Sequence, residues 1–182
     1  RAADGGLDKR TGEQMNGLHA AVFAALVLIG APAHAAEIEG IKIPDSARVA
    51  EAAPELALNG AGVRTRLFFR IYVGALYLAQ KRNTSDAVLA DPGPKRVALH
   101  MLRELGAEQL YSALNDGLRA NHGAEQMARL ATQVKELEKI FMSVKMVRVG
   151  HVILLDYAEG STRVVVNGEV KGPIAGEEFY RA

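Results

Sequence analysis

The side chains able to do chemistry in this sequence are few, because it contains no cysteine. Thiolate nucleophiles, disulfides and Cys-ligated metal centres are thereby excluded. Downstream of Ala35 the histidines are His100, His122 and His151. None has a second histidine or a carboxylate cluster at metal-ligand spacing, so no metal site is implied. The chain has no GxSxG, HExxH, P-loop or dinucleotide fingerprint, so nucleophilic, zinc and phosphate-binding chemistries lack support and no cofactor is implied. Glu136 and Glu138 lie two residues apart in a predicted helix and point in different directions, which makes them a solvated face rather than an acid–base dyad.

Arg64 is the residue that stands out. It follows Asn59-Gly60-Ala61-Gly62 in an otherwise apolar strand, where alternation places Gly62, Arg64 and Arg66 on one face and Val63, Thr65 and Leu67 on the other. If the first face meets a helical layer, Arg64 is a cation in a mostly apolar cleft. Its guanidinium fork stays charged and suits a carboxylate or an enolate-like oxygen. An exposed arginine on an edge strand is the alternative, and spacing alone leaves both open.

The elements that must position this residue can be read from period and punctuation. Ile38 to Ile43 is a short extended segment ended by Pro44 and Asp45. Leu56 to Leu67 and the following FFRIYVGALYL read as neighbouring strands of one hairpin. Gly60 and Gly62 inside the first strand predict a bulge or a backbone that another group approaches closely. After the turn Asp91-Pro92-Gly93-Pro94, Arg96 to Leu102 reads as a strand. The period then becomes helical. Leu110, Leu114 and Leu118 fall on one helical face, and Met127, Leu130, Val134, Leu137 and Phe141 continue beyond a break at Asn121 to Gly123. KMVRVGHVILLDY and TRVVVN return to strands, with turns at Glu159-Gly160 and Asn167-Gly168, the latter a strong signal for an antiparallel hairpin. Glu177 and Glu178 open a last helix that this chain would hold only in part. Strands, then helices, then strands predict an α+β fold, with helices packed on one face of an antiparallel sheet.

Composition narrows the partners. The 182 residues carry 22 Lys plus Arg against 21 Asp plus Glu, so no excess charge marks a nucleic-acid groove. Aromatics are only 5% and Trp is absent, so the core is built from aliphatic residues. The stretch before Met15 is set aside as upstream sequence. From Met15 an uncharged run, Ala20 to Ile29, precedes Pro32 and the small-x-small site Ala33-His34-Ala35, the layout of a secretory signal peptide. The run is too short to span a bilayer. Residues 1–35 are therefore expected to be upstream sequence and signal peptide, with 36–182 a single exported domain in a bacterial periplasm. No membrane span is expected in the mature chain, and its oligomeric state is open.

The stretches NGAGVRTR, YVGALYL, the helical pair and the closing VVVNGEVKGPIAGEEFYRA resemble the chalcone isomerase family, most closely its bacterial exported members. The resemblance runs from Ile38 to Ala182. It implies the chalcone isomerase-like fold: a large antiparallel sheet with a helical layer over one face, an open-faced sandwich with a ligand cleft between the layers. It also implies a helix continuing past Ala182. In the plant enzymes the arginine of the GAGxR stretch holds the substrate's nucleophilic oxygen, and Arg64 matches it. The active-site threonine falls on Tyr72, the tyrosine on Leu110 and the asparagine on Gly117, while a one-residue slip would give Tyr111 the tyrosine role. Related plastid fatty-acid-binding proteins hold a carboxylate with an arginine and a tyrosine, and Arg64 with Tyr72 is similar to that pair. The resemblance thus implies non-catalytic binding of a fatty acid or similar amphipathic carboxylate, with Leu110 and Leu114 along its tail. The alternative is an isomerase, an intramolecular lyase acting on an aromatic chalcone-like or other enone substrate through Arg64 and Tyr111.

Overall fold

The structure is a computed structural model that describes residues 36–182. The signal peptide read within residues 1–35 lies outside them. The described chain begins with a hairpin, Ala36–Ile38 (β1) and Ile41–Ile43 (β2). A seven-stranded sheet follows, antiparallel throughout. Its first strands are Ser46–Ala47 (β3), Leu56–Arg66 (β4), Phe69–Leu78 (β5) and Lys95–Met101 (β6). Leu105–Gly106 (β7) and Met146–Val147 (β8) form a separate small ladder. Val152–Ala158 (β9), Ser161–Val166 (β10) and Glu169–Ala175 (β11) then complete the large sheet, in the spatial order β11-β10-β9-β6-β5-β4-β3.

Turn chemistry sets three of the registers. Glu39-Gly40, Glu159-Gly160 and Asn167-Gly168 each place both central residues at positive φ, from 49° to 84°, the geometry whose twist matches that of paired strands. The predicted hairpin of β4 and β5 is present, with Arg66 opposite Phe69 and Leu67-Phe68 as the loop. Of the two readings of the strand glycines, the bulge is found: the register slips between Leu58 and Gly60. A Cβ at Gly60 or Gly62 would meet nothing within 4 Å, so no described group occupies the side-chain space at either glycine.

Ser85–Ala90 (α1) is a short helix that the sequence reading did not anticipate, capped by the Thr84 Oγ1, which accepts from the Ala87 N–H at 3.2 Å. Ala107–Asn121 (α2), Ala124–Arg129 (α3) and Ala131–Val144 (α4) all lie in the connection between β6 and β9. The second predicted helix is therefore two, divided at Leu130, which is buried at the joint. Glu177–Arg181 (α5) is a short last helix. One face of the sheet packs Leu99, Met101, Ile153 and Val164 against Leu110, Leu137 and Phe141 of the helices. The other face is covered too: Val73, Ala75 and Tyr77 pack beneath Ile43, Val49 and Leu56 of the N-terminal segment and β4.

Candidate functional site

Between α2 and the strands β4 to β6 lies a cleft with two adjoining chambers, both open to solvent: one of about 540 Å³ toward α5, called inner, and one of about 760 Å³ toward the β4–β5 tip, called outer. Both volumes fall in the range of small-molecule sites. Arg64, Tyr72, Ala113, Leu114 and Gly117 line both, so these residues form the waist where the chambers meet.

The sheet brings the two polar members of the waist together. Arg64 on β4 is the direct cross-strand partner of Tyr72 on β5, and residues so opposed project from the same face at neighbouring positions. Arg64 is exposed and has no hydrogen-bond or ion-pair partner among the described residues, while Tyr72 is half-buried and packs on the helix-side core. Arg64 is thus both a solvent-reaching arginine and a wall of the cleft, a charged rim above an apolar interior. A Cβ at Gly74, two residues beyond Tyr72, would touch its ring at 3.5 Å, an ordinary van der Waals contact.

Helix α2 is the roof. Its apolar stripe sends Leu110 into the outer chamber, Leu114 into both and Leu118 into the inner one. Gly117 bares the helix at the waist, where a Cβ would meet nothing within 4 Å. Tyr111 lines neither chamber. One residue on from Leu110 means about 100° of turn, so Tyr111 packs against the core instead, and burial with the nearby Glu138 carboxylate raises its hydroxyl pKa. Glu136 is exposed as expected, whereas Glu138 is half-buried on the side facing Tyr111.

The inner chamber is walled by Leu76, Val97, Leu137, Leu155 and Phe179. At its margin lie polar groups that the sequence reading missed: Lys95, Thr162 and Tyr180. The signal was available for Lys95, because period-two alternation places it on the same face as Val97, Leu99 and Met101. Lys95 is buried, its Nζ donating to the Asp91 carbonyl and, at 3.4 Å, to that of Gly93. Burial pushes its pKa down while the Asp91 carboxylate opposes the shift. Lys95 also faces the stacked rings of Tyr157 and Tyr180, at 5.5 and 5.6 Å from their centroids. The Thr162 Oγ1 and the Tyr180 hydroxyl are buried without partners among the described residues, and burial, with Asp156 and Tyr157 nearby, raises the Tyr180 pKa.

The histidines lie apart from one another. His100 stands opposite Val73 and Val152, and burial lowers its pKa. The His122 Nε2 lies 3.0 Å from the Ala182 carbonyl. His151 is held in the loop before β9 through its backbone, donating to the Arg148 carbonyl and accepting from the Met101 N–H. The arrangement at the cleft is therefore a cation and a phenol at the mouth of an apolar pocket, a form suited to an amphipathic anion.

The sequence model of chalcone isomerase-like proteins matches residues 35–182. No curated protein sequence matches the chain. Among solved structures, the chain is similar in fold to a fatty-acid binding protein of Arabidopsis thaliana, with a TM-score of 0.58 and 11% identity over 78% of this chain and 81% of that one.

Proposed function

The chain belongs to the chalcone isomerase-like family, and within it we propose a non-catalytic protein that binds a fatty acid or similar amphipathic carboxylate. The observation that carries this reading is the cross-strand pair Arg64 and Tyr72 at the waist of a cleft whose interior is aliphatic. The carboxylate sits on the Arg64 fork and accepts from the Tyr72 hydroxyl, and the tail lies under Leu114 against Leu76, Val97 and Leu155. The similarity in fold to a plant fatty-acid binding protein supports the same reading. In the isomerase alternative the acid–base candidate is Tyr111, which lines neither chamber; the phenol beside Arg64 is Tyr72, which this reading assigns to the head group. Export to a bacterial periplasm after cleavage near Ala35 belongs to the proposal and rests on the signal-peptide layout of the sequence.

The test is a titration of purified protein with a long-chain fatty acid and with the alcohol of equal length. The acid should bind more tightly, and Arg64→Ala should weaken the acid while leaving the alcohol nearly unchanged. Equal affinity for both, or an acid affinity indifferent to Arg64→Ala, would refute the head-group assignment.

A further inference from the structure

The hairpin between β4 and β5 ends in a turn built from residues that turns ordinarily avoid. Its loop is Leu67-Phe68, and Leu67 sits at φ 56°, in the left-handed region that glycine, asparagine and aspartate enter most easily. The other two-residue hairpin loops among the described residues place glycine second, at Gly40, Gly160 and Gly168, so the ordinary solution is used elsewhere in the same fold. Nor does the interior reward the choice. Leu67 is 82% exposed, Phe68 95% and Phe69 50%. Three consecutive large apolar side chains projecting together form the kind of patch that marks an interaction surface.

The charges around the tip indicate the partner. Arg66 and Arg70 flank it in sequence, and the Arg103 guanidinium lies over the Phe69 ring, 3.9 Å from its centroid. At the same end of the sheet the loop before β9 is tied down where the Gly150 N–H donates to the Met101 carbonyl at 2.9 Å. That loop presents Arg148 and an exposed Val149. Carboxylates share this end as well: Glu39 paired with Arg70, Glu104 at 3.8 Å from Arg148, and Glu108 and Asp116 on the wall of the adjoining outer chamber. Arg66 and Arg103 are left without a carboxylate partner among the described residues. Apolar side chains rimmed by arginines match an interface whose interior is hydrocarbon and whose surface is anionic. A second copy docked through the same patch would set these arginines against their own equivalents.

We propose that the β4–β5 tip docks on an anionic lipid bilayer, with Leu67, Phe68 and Phe69 entering the interface and Arg66 and Arg103 on the headgroup phosphates. The tip adjoins the outer chamber, whose wall includes Arg64, Arg66 and Ile71, so docking would set the mouth of the cleft at the membrane surface. The inference goes beyond the proposed ligand and does not depend on it, since Leu67, Phe68 and Phe69 line neither chamber.

Flotation with vesicles of phosphatidylcholine, alone or mixed with phosphatidylglycerol, tests the proposal. The protein should float with the mixed vesicles only, and less so at high salt. The double substitution Leu67→Gly with Phe68→Asn puts glycine at the loop position that has positive φ, a favoured hairpin sequence. It should keep or raise the melting temperature while lowering vesicle binding about tenfold or more. Arg103→Gln should lower it about fivefold. Equal binding to both vesicle types, or binding unchanged by the double substitution, would overturn the proposal. So would a dimer in sedimentation velocity that the double substitution dissociates without any vesicle binding, since the tip would then serve a second copy. Fatty-acid titration without vesicles reports separately on the cleft.

Discussion

Arg64 has an energetic role set by its exposure. A guanidinium at a solvent-reaching rim keeps part of its hydration, so its loss costs less than the breaking of a fully buried pair. Arg64→Ala is expected to weaken fatty-acid binding by about 1–2 kcal/mol, and Tyr72→Phe by about 1 kcal/mol, since the first removes a charged donor and the second an uncharged donor to the same carboxylate. Calorimetric titration of both variants checks the order, and Arg64→Lys should recover only part of the loss because an ammonium lacks the bidentate fork. Asp91 offers a second test at this scale. Burial would raise its pKa, but the Gly93 N–H at 2.8 Å, the Arg82 guanidinium at 3.1 Å and nearby Lys95 together hold it below the ordinary 3.8. A depressed carboxyl stabilises the fold fully above the unfolded value, and the contribution fades as pH falls through the lower folded value. Melting temperatures between pH 5 and pH 2 should therefore fall less steeply for Asp91→Asn than for the wild type, from a lower starting point.

Among the elements, α2 contributes most to the cleft, and it does so with a glycine where a helix former would be more stable. Gly117 in the helix interior costs about 1 kcal/mol relative to alanine, and the space it leaves is the waist between the chambers. Gly117→Ala is expected to raise stability by about 0.5–1 kcal/mol. Gly117→Leu should retain the fold and abolish fatty-acid binding by filling the waist. Denaturant melts and ligand titration of the pair separate these effects. A Gly117→Leu protein that binds as tightly as the wild type would place the ligand elsewhere.

Across the whole molecule, a polar row on the face away from the cleft joins the sheet to its N-terminal cover. Asp156 on β9 is buried and accepts from Arg96 of β6 at 2.5 and 2.8 Å and from Arg163 of β10 at 3.0 Å. Arg163 also donates to the Val49 carbonyl, so the row clips residues 46–55 onto the sheet. Removing the anion leaves two arginines short of their partner, one of them largely buried. Asp156→Asn should cost about 3–5 kcal/mol in urea unfolding without altering the cleft, and a loss under 1 kcal/mol would show the row to be dispensable. At the level of the full chain, N-terminal sequencing of periplasmic material should begin at Ala36. An intact N-terminus would remove the export proposal.

Local chemistry in the sequence was enough for most elements. Aromatic and β-branched composition in adjacent stretches gave the pairing of β4 with β5, Asn167-Gly168 gave the β10–β11 hairpin, and the helical leucines gave α2, because each signal is carried by residues near one another in the chain. The family resemblance likewise pointed to Arg64 and Tyr72. Sequence spacing, however, could not choose between surface arginine and cleft arginine, and the fold makes Arg64 both. That outcome depends on where α2 crosses the sheet, which is set by packing between residues 40 to 70 positions apart. Tyr111 was turned out of the cleft by the same packing, which fixes the rotation of α2. Lys95, Thr162 and Tyr180 come from β6, β10 and α5. They meet only because the sheet orders β6, β9 and β10 side by side and α5 folds back over Tyr157, a juxtaposition with no counterpart in linear spacing.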